Sequence, residues 1–147
     1  MKLVIQRAIK GKVLVGNDVI GAIGNGMVVL VGFGKEDDKK VVSRIIQKLL
    51  NLRIMEDGKK KMNKSILETK GELLLVPQFT LYANTKKGNR PSFTDALEPE
   101  KASELFSLFA DKLKMSGLKV ETGEFGSQMN VNLTNHGPVT IILEEYA

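Results

Sequence analysis

No cysteine occurs anywhere in the 147 residues. That excludes disulfides, thiol nucleophiles and thiolate metal sites together. Histidine is almost as scarce, with His136 the only imidazole. A zinc site would have to draw nearly all its ligands from carboxylates, whereas zinc favours nitrogen and sulfur donors, so no metal and no cofactor is expected. No apolar run approaches the roughly 18 residues that a membrane span requires. The longest, Met27–Phe33, is short and carries Gly32. The opening Met1-Lys2-Leu3-Val4-Ile5-Gln6-Arg7 lacks the apolar h-region and small-residue cleavage site of a signal peptide, which points to the cytoplasm. No repeat, low-complexity tract or composition break marks a linker. One domain over residues 1–147 is the expectation.

Positive charge, by contrast, is in excess. Lys and Arg number 22 against 17 Asp and Glu, a net charge of +5. An anionic partner is suggested, nucleic acid first. Many soluble proteins are mildly basic without such a partner, so charge alone decides nothing.

The first third reads as strands separated by glycines. Val13-Leu14-Val15 runs into a Gly16-Asn17-Asp18 turn, then Val19–Ile23. In Gly24-Asn25-Gly26 the glycines are expected to supply the positive φ of a tight hairpin. Met27-Val28-Val29-Leu30-Val31 is apolar throughout, as a strand covered on both faces would be. Asp37 or Asp38 caps a helix whose stripe is Val41, Ile45, Leu49 and Leu52. Pro99 opens a second helix with Ala102, Leu105, Phe109 and Leu113 on one face, and Gly117 stops it. Both stripes read as core. Leu73–Val76, Phe79–Tyr82, Lys119–Thr122, Met129–Leu133 and Val139–Leu143 read as strands. The pattern predicts one α+β domain.

Two segments carry chemistry. Gln78, Phe79 and Thr80 sit at the edge of a loop bearing Lys86, Lys87 and Arg90. Those cations on a glycine-containing loop either hold phosphates or decorate a solvated turn. The second segment is Asn135-His136-Gly137-Pro138-Val139-Thr140. A Gly-Pro pair between strands is usually a trans turn, since only about 5–6% of such bonds are cis. Were it cis, the Gly137 and Pro138 carbonyls could point together as a rigid acceptor pair for an ammonium group. The sequence leaves both readings open.

Taken in order, these segments resemble the D-aminoacyl-tRNA deacylase family, also called D-tyrosyl-tRNA deacylase. The likeness runs from Met1 to about Glu145. It takes in Val4-Ile5-Gln6-Arg7, Asn51-Leu52-Arg53-Ile54, Lys61-Met62-Asn63-Lys64-Ser65, Gly88-Asn89-Arg90-Pro91-Ser92-Phe93 and Thr122-Gly123-Glu124-Phe125-Gly126. The family's two signatures match Gln78-Phe79-Thr80-Leu81 and Asn135–Thr140. The resemblance implies a strongly curved, barrel-like sheet with two packed helices, and a homodimer with active sites at the subunit interface. It implies hydrolysis of D-aminoacyl-tRNA, a proofreading step in translation quality control. Gly137-Pro138 would be cis and reach into the partner's pocket, where Gln78, Phe79 and Thr80 line the wall and backbone near Phe125 and Met129 holds the terminal adenosine. A main-chain wall at the α-carbon excludes an L side chain. It cannot exclude glycine, so glycine mischarged on the alanine tRNA is an implied substrate.

One departure stands out. The family's signature usually begins with Ser before the Gln, and here Pro77 takes its place, removing a hydroxyl and a backbone donor. A related branch with Pro-Gln at this point looks less strict about chirality. A relaxed-chirality deacylase acting on a misacylated L-aminoacyl-tRNA therefore stays open, as does an RNA-binding module without turnover.

The hydrolytic group is not evident. A Ser-His-Asp arrangement would need His136, the only imidazole. Thr80 is either a nucleophile or a β-branched residue whose hydroxyl bonds backbone or substrate; no activating base is visible beside it. The preferred route is substrate assistance, in which the vicinal ribose hydroxyl activates water and N–H groups near Phe79 and Thr80 stabilise the oxyanion.

Overall fold

Strand β1, Lys2–Val15, organises the sheet because both of its edges are used. Along one edge it pairs antiparallel with β8, Asn130–Glu144, from Lys2↔Glu144 to Leu14↔Asn130. Its other edge pairs first with β3, Gly26–Gly32, and then with β2, Asp18–Ile23. Beyond β3 the sheet continues in parallel through β6, Glu72–Pro77, to β7, Val120–Thr122. A computed structural model describes all of residues 1–147.

The two ends of this path nearly meet. A Cβ on Gly21 of β2 would lie 3.0 Å from the Thr122 carbonyl of β7, so the sheet curls almost into a barrel. Ala8, Val13, Ile23, Val28, Leu74 and Val76 fill its inside. The larger core lies on the outer face, where Leu3, Ile5, Val29 and Leu75 meet the helices. Helix α1, Lys39–Asn51, starts at Asp38, whose carboxylate accepts from the N–H groups of Lys40 and Val41 at 2.8 and 2.9 Å. It buries Val41, Ile45 and Leu49 of the expected stripe, while Leu52 falls just past its end as the extended, half-buried C-cap. A hairpin follows, made of β4, Met55–Glu56, and β5, Met62–Lys64. The single turn α2, Ile66–Thr69, is held by a Ser65–Glu68 capping box. Helix α3, Pro99–Lys114, buries Ala102, Leu105, Phe109 and Leu113 and is followed by Gly117 at φ 83°. No helix is long and apolar enough to cross a membrane.

The barrel-like sheet with two long helices matches the expected fold; three local expectations are corrected, and one left open is settled. Phe79–Tyr82 is a 3-10 turn rather than a strand, because β6 ends at Pro77 and β7, already finished at Thr122, offers no neighbour further on. Met129–Leu133 and Val139–Leu143 are not two strands: one continuous β8 covers the region and begins at Asn130, with Met129 just outside it. Neither Gly24 nor Gly26 has positive φ. Gly26 is needed for space instead, since a Cβ there would sit 1.8 Å from the Glu72 carbonyl oxygen. Of the two candidate caps, Asp38 takes the helix, while Asp37 accepts from the Met1 ammonium and the Gly34 N–H at 2.6 Å each.

Candidate active site

The three parallel strands β3, β6 and β7 deliver their carboxyl ends to one place. Chain continuing from those ends, with the foot of α3, walls a cavity of about 520 Å³, a size suited to a small ligand. Val31 and Phe33 come from the end of β3, and Val76 to Phe79 from the end of β6. Phe125 and Met129 come from the segment after β7, and Ala102 from α3. Most of the lining is apolar, and Gln78 brings an amide to it. Met129 is fixed from behind: the Glu124 N–H approaches its sulfur at 3.3 Å, and a Cβ on Gly123 would lie 2.7 Å from that sulfur.

Pro77 closes β6, and the chain then turns sharply. The Gln78 N–H still donates to Val31, at 2.7 Å, and the Leu81 N–H donates back to the Gln78 carbonyl at 3.3 Å. No side chain caps this 3-10 turn. The N–H groups of Phe79 and Thr80 open it and have no acceptor within it. The Gln78 side-chain amide donates to the Thr80 hydroxyl, and no imidazole or carboxylate bonds that hydroxyl. Phe79, 57% exposed, packs edge-on against Phe93 with ring centroids 5.0 Å apart.

Phe93 ends a loop whose base is clamped by the paired bonds Asn84 N–H to Ser92 O, 2.8 Å, and Ser92 N–H to Asn84 O, 2.9 Å. Lys86, Lys87 and Arg90 stand exposed at its tip, and none is in an ion pair. The three cations thus sit on the loop that contributes Phe93 to the cavity.

The second signature has the cis peptide that the resemblance implies, but on a bulge within one strand rather than in a turn between two. In the β1–β8 ladder Gln6 pairs with Thr140 and Ala8 with Asn135. Four residues, His136 to Val139, therefore stand opposite Arg7 alone and bulge from the strand. The Gly137–Pro138 peptide is cis. The Asn135 side chain closes the bulge: its oxygen accepts from the Val139 N–H at 3.1 Å and its amide donates to the Thr140 hydroxyl at 3.0 Å. Arg7, buried within the sheet, donates through Nε to the His136 carbonyl at 3.1 Å. Gly137 and Pro138 are exposed and do not line the cavity of their own chain. Arg7 pairs with Met27 and Leu3 with Val31, so four residues of β1, roughly 13 Å, separate bulge and cavity.

Comparison with known proteins fits this geometry. A family model described as D-Tyr-tRNA(Tyr) deacylase matches residues 4–144. The chain belongs to this deacylase family. A D-aminoacyl-tRNA deacylase of Aquifex aeolicus is 52% identical over 144 residues, covering 98% of this chain and 97% of the relative. One from Bacillus licheniformis is 48% identical over the full length of both. Among solved structures, one described as c-Myc DNA Unwinding Element Binding Protein superposes with a TM-score of 0.94 at 40% identity, covering both chains completely.

Of the deacylase residues expected from the sequence, the fold brings Gln78, Phe79, Phe125 and Met129 together. Thr80 follows them but is outside the cavity lining, and Gly137–Pro138 lies elsewhere on the protomer. Sequence reasoning did not single out Arg7 or Phe93. A signal for Arg7 existed: it continues the Leu3, Ile5 parity of buried positions on β1, where an arginine needs a reason.

Proposed function

We propose that this deacylase acts in the cytoplasm as a homodimer that hydrolyses the ester between a D-amino acid and the terminal adenosine of tRNA, releasing both. Full-length membership in the family carries the hydrolytic reading, and the apolar cavity at the strand ends is its site. The bulge at Gly137–Pro138 of one subunit enters the cavity of the other, where its main-chain carbonyls accept from the substrate ammonium. Three observations support this. The bulge is exposed and braced, its own cavity lacks it, and β8 pairs only with β1, leaving its outer edge free beside the exposed Val131 and Ile142.

Phe125 and Met129 pack the adenosine, while Lys86, Lys87 and Arg90 meet phosphates near the acceptor end. Water, positioned by the vicinal ribose hydroxyl, attacks the ester carbonyl carbon. The oxyanion that forms is held by the N–H groups of Phe79 and Thr80. Collapse breaks the bond from the acyl carbon to the ribose oxygen, which takes the proton that water loses. An aminoacyl ester is already activated, so orientation and charge stabilisation suffice. Main chain cannot change rotamer to admit an L side chain, and glycine passes for want of one, including glycine mischarged on the alanine tRNA.

Hydrolysis of D-Tyr-, L-Tyr-, L-Ala- and Gly-tRNA by the purified protein tests the reading. Release of D-tyrosine and glycine with both L esters spared is expected. Equal cleavage of L-Ala-tRNA indicates the relaxed-chirality enzyme, and D-Tyr-tRNA bound but left intact indicates an RNA-binding module.

A further inference from the structure

We propose that the β4–β5 hairpin is a second phosphate-binding surface for tRNA, presented to the acceptor stem of the molecule whose aminoacyl end lies in the partner's cavity. The inference deepens the deacylase reading and rests on it for the identity of the nucleic acid and for the dimer.

The segment Arg53–Lys64 holds five cationic side chains and two acids. Both acids are spent internally. The Asp57 carboxylate accepts from the N–H groups of Lys59 and Lys61 at 2.7 and 3.0 Å and from the Asn63 amide at 2.7 Å, so it fills the inside of the turn. Glu56 receives Arg7 Nη2 at 3.2 Å. Lys59, Lys60, Lys61 and Lys64 are left exposed, and none enters an ion pair. Lys60 occupies a left-handed position, φ 59°, where glycine or asparagine would sit at lower cost. The tip is thus a fixed loop that keeps its negative charge inside and its lysines outside.

Its location supplies the second half of the argument. Arg7 joins the hairpin to the bulge, donating through Nη1 to the Ile54 carbonyl at 2.9 Å and through Nε to His136 at 3.1 Å. Hairpin and bulge are therefore one unit. Whatever cavity receives Gly137–Pro138 gains these lysines at its rim. The loop that contributes Phe93 to the cavity also carries the exposed Lys86, Lys87 and Arg90. Polyanion binding by unpaired lysines on a rigid tip is favoured by release of condensed counterions, and a duplex stem offers the required phosphate density.

The test measures binding of uncharged tRNA as salt is varied. The triple variant Lys59→Gln, Lys60→Gln, Lys61→Gln is compared with Lys101→Gln, Lys112→Gln, Lys114→Gln on α3, which removes the same charge elsewhere. At about 0.15 M salt the hairpin triple is expected to weaken binding at least ~10-fold and to lower the slope of log affinity against log salt by roughly 2–3, while the α3 triple stays close to the unaltered protein. Lys60→Gly, which suits the left-handed backbone, keeps the hairpin and is expected to lower the slope by about 1. Hairpin variants that bind with unaltered affinity and slope overturn the proposal, as does an equal loss in the α3 triple. Release of D-tyrosine by the unaltered protein reports separately on the deacylase reading. A protein that binds tRNA through the hairpin but never cleaves sinks that reading and leaves this one standing.

Discussion

Arg7 grips His136 from inside the sheet. Its side chain is 6% exposed, and the Nε to carbonyl distance is 3.1 Å. The same guanidinium reaches Ile54 and Glu56, so three acceptors from two segments share one planar fork. Arg7→Lys keeps the charge and loses the fork. With the buried Ile54 carbonyl left unmatched, unfolding in urea should become easier by about 1–3 kcal/mol. Hydrolysis of D-Tyr-tRNA, measured where the variant is fully folded, should fall by ~10-fold or more, equivalent to about 1.4 kcal/mol in the barrier. A variant that loses stability but keeps full activity would show that the bulge needs no such grip.

Thr80 offers a sharper mechanistic test. Its hydroxyl accepts from the Gln78 amide and touches no base. Thr80→Ala should remain active in single-turnover hydrolysis, and a substrate lacking the vicinal ribose hydroxyl should not be cleaved by the unaltered protein. Complete loss of turnover in Thr80→Ala, with tRNA binding intact, would restore Thr80 as nucleophile.

Gly26→Ala tests the packing of parallel strands. The new methyl would overlap the Glu72 main chain, with its oxygen at 1.8 Å and its nitrogen at 2.6 Å, and no rotamer can relieve a clash with backbone. The loss in unfolding free energy should exceed the roughly 1–3 kcal/mol of ordinary overpacking. A cooperative urea transition close to that of the unaltered protein would contradict the strand spacing described here.

Asp57 sets an acid limit on the hairpin. The Asn63 amide, followed by the Lys61 and Lys59 N–H groups, holds its carboxyl below the ordinary value of 3.8. A carboxylate depressed in the folded state stabilises it above the unfolded pKa, and that contribution disappears as pH falls through the folded pKa. Thermal unfolding should therefore show stability draining away below about pH 4. Asp57→Asn should be less stable at neutral pH and should flatten that acid limb. An unchanged limb in the variant would assign it to other carboxylates.

How far the sequence reveals the fold depends on whether the deciding contact is local. Asp38 as a cap, the Val41–Leu49 stripe and the Ala102–Leu113 stripe are set by neighbours within a turn, and all stand where periodicity puts them. Phe79–Tyr82 has strand composition, yet its state is decided by the absence of a pairing partner past Thr122, which no local pattern reports. Gly137-Pro138 reads locally as the turn between two strands. It becomes a bulge because β1 pairs on both sides of it, at Ala8 and Gln6. The candidate site divides in the same way. Gln78, Phe79, Phe125 and Met129 follow from motif resemblance, whereas the brace by Arg7 joins residues 129 positions apart.

The bulge interrupts neither strand: β8 runs on through it for 15 residues and stays laced to β1 at both ends. A segment woven into the longest seam of the protein has little freedom to drift by itself. Mutations that loosen it also fray the seam, so the expected failure is a silent enzyme.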